Sequence, residues 1–494
     1  MVYWKDIPSD ASFQSPHKLQ HSQPVQNVHE TKYMTFEPDG GGWNNIRMAM
    51  ETVVVLAHAT GRTLVLPPAQ SIYLLRRDAH KHNTKFTFAD FFPIESLNDE
   101  HHGIDIITME EFLQRMAMTG RLRNHTTGPI SFPPQRNRTD WNGGNAQDMI
   151  DLKTYLRQVT HTPIWRRQDC IAAFPSTVGS DNNDNNIQAL HQTLESITSS
   201  SSTYLPAHMK SAPPVNGSLH DRMNEMLSGR TELCIYNQTM QEQPVLHFMC
   251  YPKVKMRLLT HFYTFIFFQN WKHQTWAARF VRDHLRYNDE LQCAAARIVH
   301  AIEQRSRNYA STITNTNTST STSQATGEFD TLHVRRGDFQ FKSTRVDAEQ
   351  LFHAIQDKIP NKSTIYIATD ERDKRFFDIF HHQYDICFLD DFLHLIPEIN
   401  TNHLGMIDQL VASRGRTFFG TYFSTFTGYI NRLRGYRTDA FHLEGWENGA
   451  LKSYYFLPND KKFAMRKYSP VRDTFSREFP IAWRDIDNGV FDLN

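Results

Sequence analysis

The chain has no excess of charge of either sign: 53 Lys and Arg residues face 53 Asp and Glu residues among 494. That balance removes the broad basic surface by which proteins gather nucleic acid, so no nucleic-acid partner is expected. Cysteine is scarce, and the five present (Cys170, Cys234, Cys250, Cys293, Cys387) are too few and too scattered for a disulfide scaffold. Their number is odd, so at least one stays outside any intrachain pair, and nearness in sequence favours Cys234 with Cys250. None of the 25 histidines falls in a metal-ligand spacing. His101-His102 and His381-His382 read as surface positions, and no metal is expected. Long apolar runs are missing too. The most apolar stretches, Val53 to Ala57 and Phe262 to Phe268, are far too short to span a bilayer. Gly-x-Gly-x-x-Gly and Gly-Lys-Ser/Thr are both absent, which excludes the dinucleotide fingerprint and the P-loop.

Three segments carry chemistry. Thr331 to Val334 reads as a buried strand that runs straight into Arg335, Arg336, Gly337 and Asp338. A guanidinium at the carboxyl end of a strand suits a phosphate group, because ligands of open α/β sheets sit there. The alternative is a surface turn whose arginines pair with nearby carboxylates. Lys32 to Phe36 alternates like a second strand. It is followed by Gly40-Gly41-Gly42, a helix pattern from Ile46 to Thr60, and a strand from Thr63 to Leu66. That is a βαβ unit whose glycine turn can aim backbone N–H groups at an anion, or can simply be a turn. The third segment starts with the strand Ser363 to Ala368, leading into Thr369-Asp370-Glu371. A helix around Asp408 follows, then a strand from Arg416 to Gly420 and a helix opening at Ser424 or Thr425. Hydroxyls at a helix start bind anions as readily as they cap.

The order GGWNNIR, HVRRGDF, YIATDE, then an aspartate sixteen residues before Ser424-Thr425-Phe426, resembles the GDP-fucose protein O-fucosyltransferases. It is especially similar to the O-fucosyltransferase-like group of fungi, algae and plants, and the resemblance runs from about Tyr33 to about Gly435. It implies an α/β, GT-B-like fold: two Rossmann-like domains facing a nucleotide-sugar cleft. It also implies inverting transfer of fucose from GDP-fucose to a Ser or Thr hydroxyl of a protein acceptor, with no cofactor beyond that donor and no active-site metal. Carried over by position, Arg335 is the catalytic arginine that holds the β-phosphate, and His333 is a donor to the diphosphate or a brace behind it. Gly41, Gly42, Asn44 and Asn45 lie on the loop facing the diphosphate-sugar. Asp338 orients the arginine or the guanine side, Asp408 reads guanine or ribose, and Ser424, Thr425 and Phe426 contact phosphate and base. Gly41 stands where some members carry a glutamate base, so Asp39 and Glu51 become candidate substitutes and the base stays unassigned. That departure leaves open two other readings. One is a related transferase using a glycan acceptor or another GDP-sugar, and the other is a non-catalytic binder of GDP-sugar or glycoprotein.

The expected organisation is a polar arm over 1–31 and an N-terminal Rossmann-like domain over 32–308 with a polar insertion near 176–222. A low-complexity linker over 309–327, expected to be disordered, leads to a C-terminal nucleotide-binding domain over 328–439 and a tail over 440–494 that folds back on the first domain. Val245 to Ile302 reads as helix-rich, with aromatics placed for packing. Asn124, Asn137, Asn216, Asn237, Asn317 and Asn361 begin Asn-x-Ser/Thr sequons, which suits the Golgi or endoplasmic reticulum lumen. The first residues lack a signal or anchor, so an upstream anchor is expected, with a cytoplasmic protein as the alternative.

Overall fold

The computed structural model describes residues 7–18, 31–72, 75, 85–124, 126–133, 146–177, 180–199, 216–314, 327–337, 342–447, 449–456, 462–464, 478, 480–484, 486–487 and 492–493. The chain is α/β and divides into two compact units. The first is drawn from the described parts of Lys5–Arg286 and Asp485–Asn494, the second from those of Tyr287–Ser469 and Phe475–Arg484.

The first unit contains β1 (Tyr33–Phe36), β2 (Thr63–Leu66), β3 (Ile106–Thr108), the short ladder of β4 (Arg123–Asn124) and β5 (Gly128–Pro129), β6 (Cys170–Phe174), β7 (Glu232–Ile235), β8 (Val245–Phe248) and β9 (Ile266–Phe268). They build two parallel sheets, ordered β3-β2-β1-β8 and β7-β6-β9. Parallel strands are covered on both faces, which is why β1, β6 and β8 are buried along their whole length. The helix Trp43–Thr60 joins β1 to β2 and is buried nearly all round, with its buried Arg47 and Glu51 paired to each other. Because β1 lies between β2 and β8, strand order reverses at its carboxyl end, where the glycine loop begins.

The second unit contains β10 (Asp330–Val334), β11 (Thr364–Thr369), β12 (Asp385–Cys387), β13 (Phe418–Thr421), β14 (Ser453–Phe456) and β15 (Lys462–Ala464). Their order is β12-β11-β10-β13-β14-β15, parallel except for the last pair. Leu332, Val334, Ile365, Ile367, Phe377, Phe380 and Phe419 form part of its core. Here β10 holds the position that β1 holds in the first unit, so the arginine motif also emerges where strand order reverses.

Several expectations change. Residues 7–18 are docked rather than a loose arm: the Trp276 indole donates to the Asp10 carbonyl (2.9 Å), and Phe13 is buried. The polar stretch near 176–222 contributes the helix Ser180–Ser199, whose Leu190 packs with Met223, Met226 and Ile171. Its Ile187, Leu190, Leu194 and Ile197 recur at helical spacing inside a polar composition. Val245 opens a strand, not a helix. The helix Asp289–Thr314 runs across the domain boundary expected at 308 and belongs to the second unit, where Arg305 grips Asp385 (2.6 and 2.8 Å) and Tyr287 just before it donates to Gln409 (2.7 Å). Residues 315–326 of the low-complexity segment lie outside the described residues. Of the stretch after Ala440, expected to return over the first domain, Ser453–Phe456 and Lys462–Ala464 supply β14 and β15 to the second sheet, whereas Asp487 does return to the first unit and pairs with Arg279 and Arg282 (3.2 Å each). The disulfide joins Cys170 to Cys234 across the neighbouring strands β6 and β7, and Cys250 keeps a free thiol. Pairing follows spatial adjacency in the sheet, to which sequence proximity is blind.

Candidate functional site

At the end of β10 the chain is clasped from both sides. Thr421, closing β13, accepts from the Arg335 N–H (2.9 Å) and donates to the His333 carbonyl (3.1 Å) through the same hydroxyl. Asp370, immediately after β11, accepts from the Arg336 N–H at Oδ1 (2.7 Å) and from the Gly337 N–H at Oδ2 (3.0 Å). Its Oδ2 also lies 3.1 Å from Arg335 Nη1. The two arginines diverge from there. Arg336 has three partners: Nε donates to Glu371 (2.9 Å), Nη1 donates to the Val346 carbonyl (3.1 Å), and the guanidinium lies over Phe376 at 3.8 Å, with 27% of the side chain exposed. Arg335 keeps 22% of its side chain exposed. The pairing with nearby carboxylates that the surface-turn reading expects is present at both arginines, Arg336 with Glu371 and Arg335 with Asp370.

His333, buried on β10, is braced by the helix Thr425–Ala440. Its Nδ1 lies 2.6 Å from Thr427 Oγ1, and its ring stacks on Phe426 with centroids 4.5 Å apart. Burial drives its pKa down to about 3; Asp370 pulls it up and Arg335 pushes it further down, so the imidazole is neutral near pH 7. Ser424 is the N-cap of that helix and is buried without a side-chain capping bond, so Ser424, Thr425 and Phe426 sit at the partial positive end of a 16-residue helix. A methyl group at Gly405, the second residue of the helix Leu404–Ala412, would lie 3.8 Å from Phe426 Cε2. One turn on, Asp408 accepts a short hydrogen bond from the Tyr366 hydroxyl of β11. Burial pushes the Asp408 carboxyl up to about 7; Tyr366 and Lys374 pull it down, and Asp390 pushes it up. Asp338 lies outside the described residues.

In the first unit, Gly41 (φ +138°) and Gly42 lead into the helix Trp43–Thr60, with Gly42 as its N-cap. The Asn45 N–H donates to the Gly42 carbonyl (3.0 Å), and Asn44 follows Trp43 on the first turn. The stem of this loop is anchored by two carboxylates. Glu37 takes a bidentate grip from Arg157 (2.6 and 2.8 Å), accepts from the Cys250 N–H (3.2 Å) and lies 3.3 Å from His247 Nε2. His247 Nδ1 is 2.8 Å from the Thr35 hydroxyl, so a neutral ring accepts from Thr35 and donates to Glu37. Burial alone would raise the Glu37 carboxyl, but hydrogen bonds from His247 and Arg157 hold it at about 2. Asp39 accepts from Arg257 Nε (2.5 Å) and from the Cys250 thiol (3.2 Å). Burial, together with Asp39, raises that thiol to about 12.

The two candidate bases are therefore both engaged. Asp39 is paired with Arg257, and Glu51 forms a buried ion pair with Arg47 one helical turn away (2.6 Å). Thr421, Thr427 and Asp370 were not singled out from sequence, although each falls in a segment that drew attention. Glu37, Arg157 and His247 carry no local signal at all. His101, read as a surface residue, is buried and packs edge-on to His284 (4.0 Å). With Glu100 these form, among the described residues, a group whose ligand atoms lie within 4.8 Å of one another. The fields of Arg286 and Arg282 reach His284, however, and oppose a cation there.

Residues 33–437 match the family model described as GDP-fucose protein O-fucosyltransferase. Among solved structures, the chain is similar to the apo form of POFUT1 at 13% identity and a TM-score of 0.33, covering 87% of this chain and 99% of that one. It is similar to POFUT1 in complex with GDP-fucose at 12% identity and a TM-score of 0.32, covering 84% and 96%. It is also similar to the fucosyltransferase NodZ from Bradyrhizobium at 12% identity and a TM-score of 0.35, covering 82% and 93%. No curated protein matched the sequence.

Proposed function

The chain belongs to the GDP-fucose protein O-fucosyltransferase family of glycosyltransferases, and from that premise we propose that it transfers fucose from GDP-fucose to a Ser or Thr hydroxyl of a protein acceptor with inversion. The observation that carries the reading is the partly exposed guanidinium of Arg335, at the reversal point of the second sheet, in the unit that also presents the start of the Thr425–Ala440 helix. As the glycosidic bond breaks, GDP leaves with the bonding pair and its β-phosphate gains charge. A fixed guanidinium and a helix N-terminus stabilise that charge most in the transition state. The acceptor hydroxyl attacks the opposite face of the sugar and gives up its proton as the new bond forms.

Around Arg335, neutral His333 would stiffen the helix start through Thr427 and Phe426, with Nε2 as the nitrogen that could donate to the diphosphate. Ser424, Thr425 and Phe426 would meet phosphate and base, and Asp408 would accept from the N1 and N2 donors of guanine. Gly41, Gly42, Asn44 and Asn45 would meet the diphosphate-sugar of the donor. Work in the secretory pathway fits the Cys170–Cys234 disulfide and the exposed sequon residues Asn216, Asn237 and Asn361.

The test is Arg335→Ala, assayed by release of GDP from GDP-fucose. The side chain is partly exposed on a loop, so the unfolding transition should be unchanged while turnover drops on the order of 10²–10³-fold. Near-native turnover in a folded variant would overturn the mechanism.

A further inference from the structure

We propose that Asp370 is a positioning residue for Arg335: it sets the direction in which the guanidinium meets the diphosphate. The inference rests on the reading that Arg335 contacts the donor. Two consecutive backbone N–H groups, those of Arg336 and Gly337, point at one carboxylate, at 2.7 and 3.0 Å. Such a pair is the beginning of an anion-binding nest, and here a side chain of the same chain fills it. The same Oδ2 that receives the Gly337 N–H sits 3.1 Å from Arg335 Nη1. One carboxylate therefore fixes both the loop that carries the arginine and one edge of its planar fork. The plane in which the guanidinium meets a phosphate is thereby defined.

Gly337 gains a different meaning from this geometry. The sequence suggests that glycine there lets backbone approach a phosphate. Its N–H instead serves Asp370, and a methyl group at this position would lie 2.6 Å from Asp370 Oδ2. Glycine is required for the carboxylate to come close. A carboxylate that merely closed the loop would need only the two backbone bonds; the third contact, to Nη1, ties Asp370 to the function of Arg335.

The experiment is a double-mutant cycle read by the 31P resonance of the β-phosphate in bound GDP, which needs neither acceptor nor turnover. The four proteins are wild type, Asp370→Asn, Arg335→Lys and the double variant. Lysine brings a point charge with no plane to orient. Asp370→Asn is expected to move the resonance in the wild-type background and to leave it unmoved in the Arg335→Lys background. In donor hydrolysis, kcat of Asp370→Asn should fall about tenfold or more while the KM for GDP-fucose changes little, because no donor to the phosphate has been removed. Gly337→Ala, which pushes the carboxylate away while leaving it intact, should copy Asp370→Asn, and it stands in if that variant fails to fold. An unmoved resonance in Asp370→Asn and Gly337→Ala overturns the proposal, and so does an equal shift in both backgrounds. Should Arg335→Lys itself leave the resonance of bound GDP where it is, the contact between Arg335 and the donor is wrong, and the proposal falls with it.

Discussion

Arg335 and Arg336 are neighbours of the same residue type, each paired with its own carboxylate, and they differ in what else surrounds them. Arg336 meets Glu371, the Val346 carbonyl and the face of Phe376, whereas Arg335 meets Thr421 at its backbone and Asp370 beside its fork. Asp408 is a second residue whose chemistry depends on place. A carboxyl pushed to about 7 is partly protonated at neutral pH, and only the ionised form offers two acceptors to guanine. GDP affinity should therefore rise with pH through about 7, by up to about tenfold per unit below it, and Asp408→Asn should remove that part of the profile. Titration calorimetry with GDP between pH 5.5 and 8.5 measures this, and identical profiles for the two proteins would exclude Asp408 from base recognition. The sign for stability is the reverse. A raised carboxyl pKa contributes stability that is fully present below the unfolded value of 3.8 and is lost as pH rises through about 7.

At the scale of elements, the site depends on how closely β13 and the Thr425–Ala440 helix approach. A side chain on Gly420 would lie 2.4 Å from Thr427 Cγ2 and 2.7 Å from its hydroxyl, the hydroxyl that meets His333. Gly420→Ala is expected to cost about 1–3 kcal/mol as strand and helix separate. It should also weaken GDP binding, because the helix start shifts with Thr427. Chemical denaturation and GDP titration of one variant read both effects, and unchanged values of both would show that the helix start adjusts freely. The first unit uses a different device: its loop is held by carboxylates below it. Glu37 and Asp39 are each paired with an arginine that lies far along the chain, Arg157 and Arg257.

For the whole molecule, buried and half-buried histidines set the response to acid. His17, His58, His161, His247, His273, His284 and His333 all have lowered pKa values, with burial as the first cause. His17 and His273 stand at about 4, and His284 and His333 at about 3. Such groups contribute stability that is full above the unfolded value of 6.5 and is lost as pH falls toward the folded value, since the unfolded chain takes up protons first. Asp10, at about 6, and Asp408 work in the opposite direction, but they are two against seven. The unfolding temperature is expected to drop between pH 7 and pH 5. A temperature that held or rose across that interval, followed by circular dichroism, would show that these histidines are not buried as described.

Sequence by itself determined what is local. The strand, glycine loop and buried helix of the first unit follow from spacing and composition. So does the strand that ends in two arginines, and the ordered motifs identify the family. These features are written in neighbouring residues, where pattern and propensity act directly. Only tertiary structure decided which carboxylate each arginine meets, that Gly337 serves Asp370, that Cys170 and not Cys250 pairs with Cys234, and that Glu37 is held by Arg157 and His247, 120 and 210 positions away. Each of these depends on parallel strands being brought side by side by long crossovers, and register across such strands leaves no periodic trace along the chain.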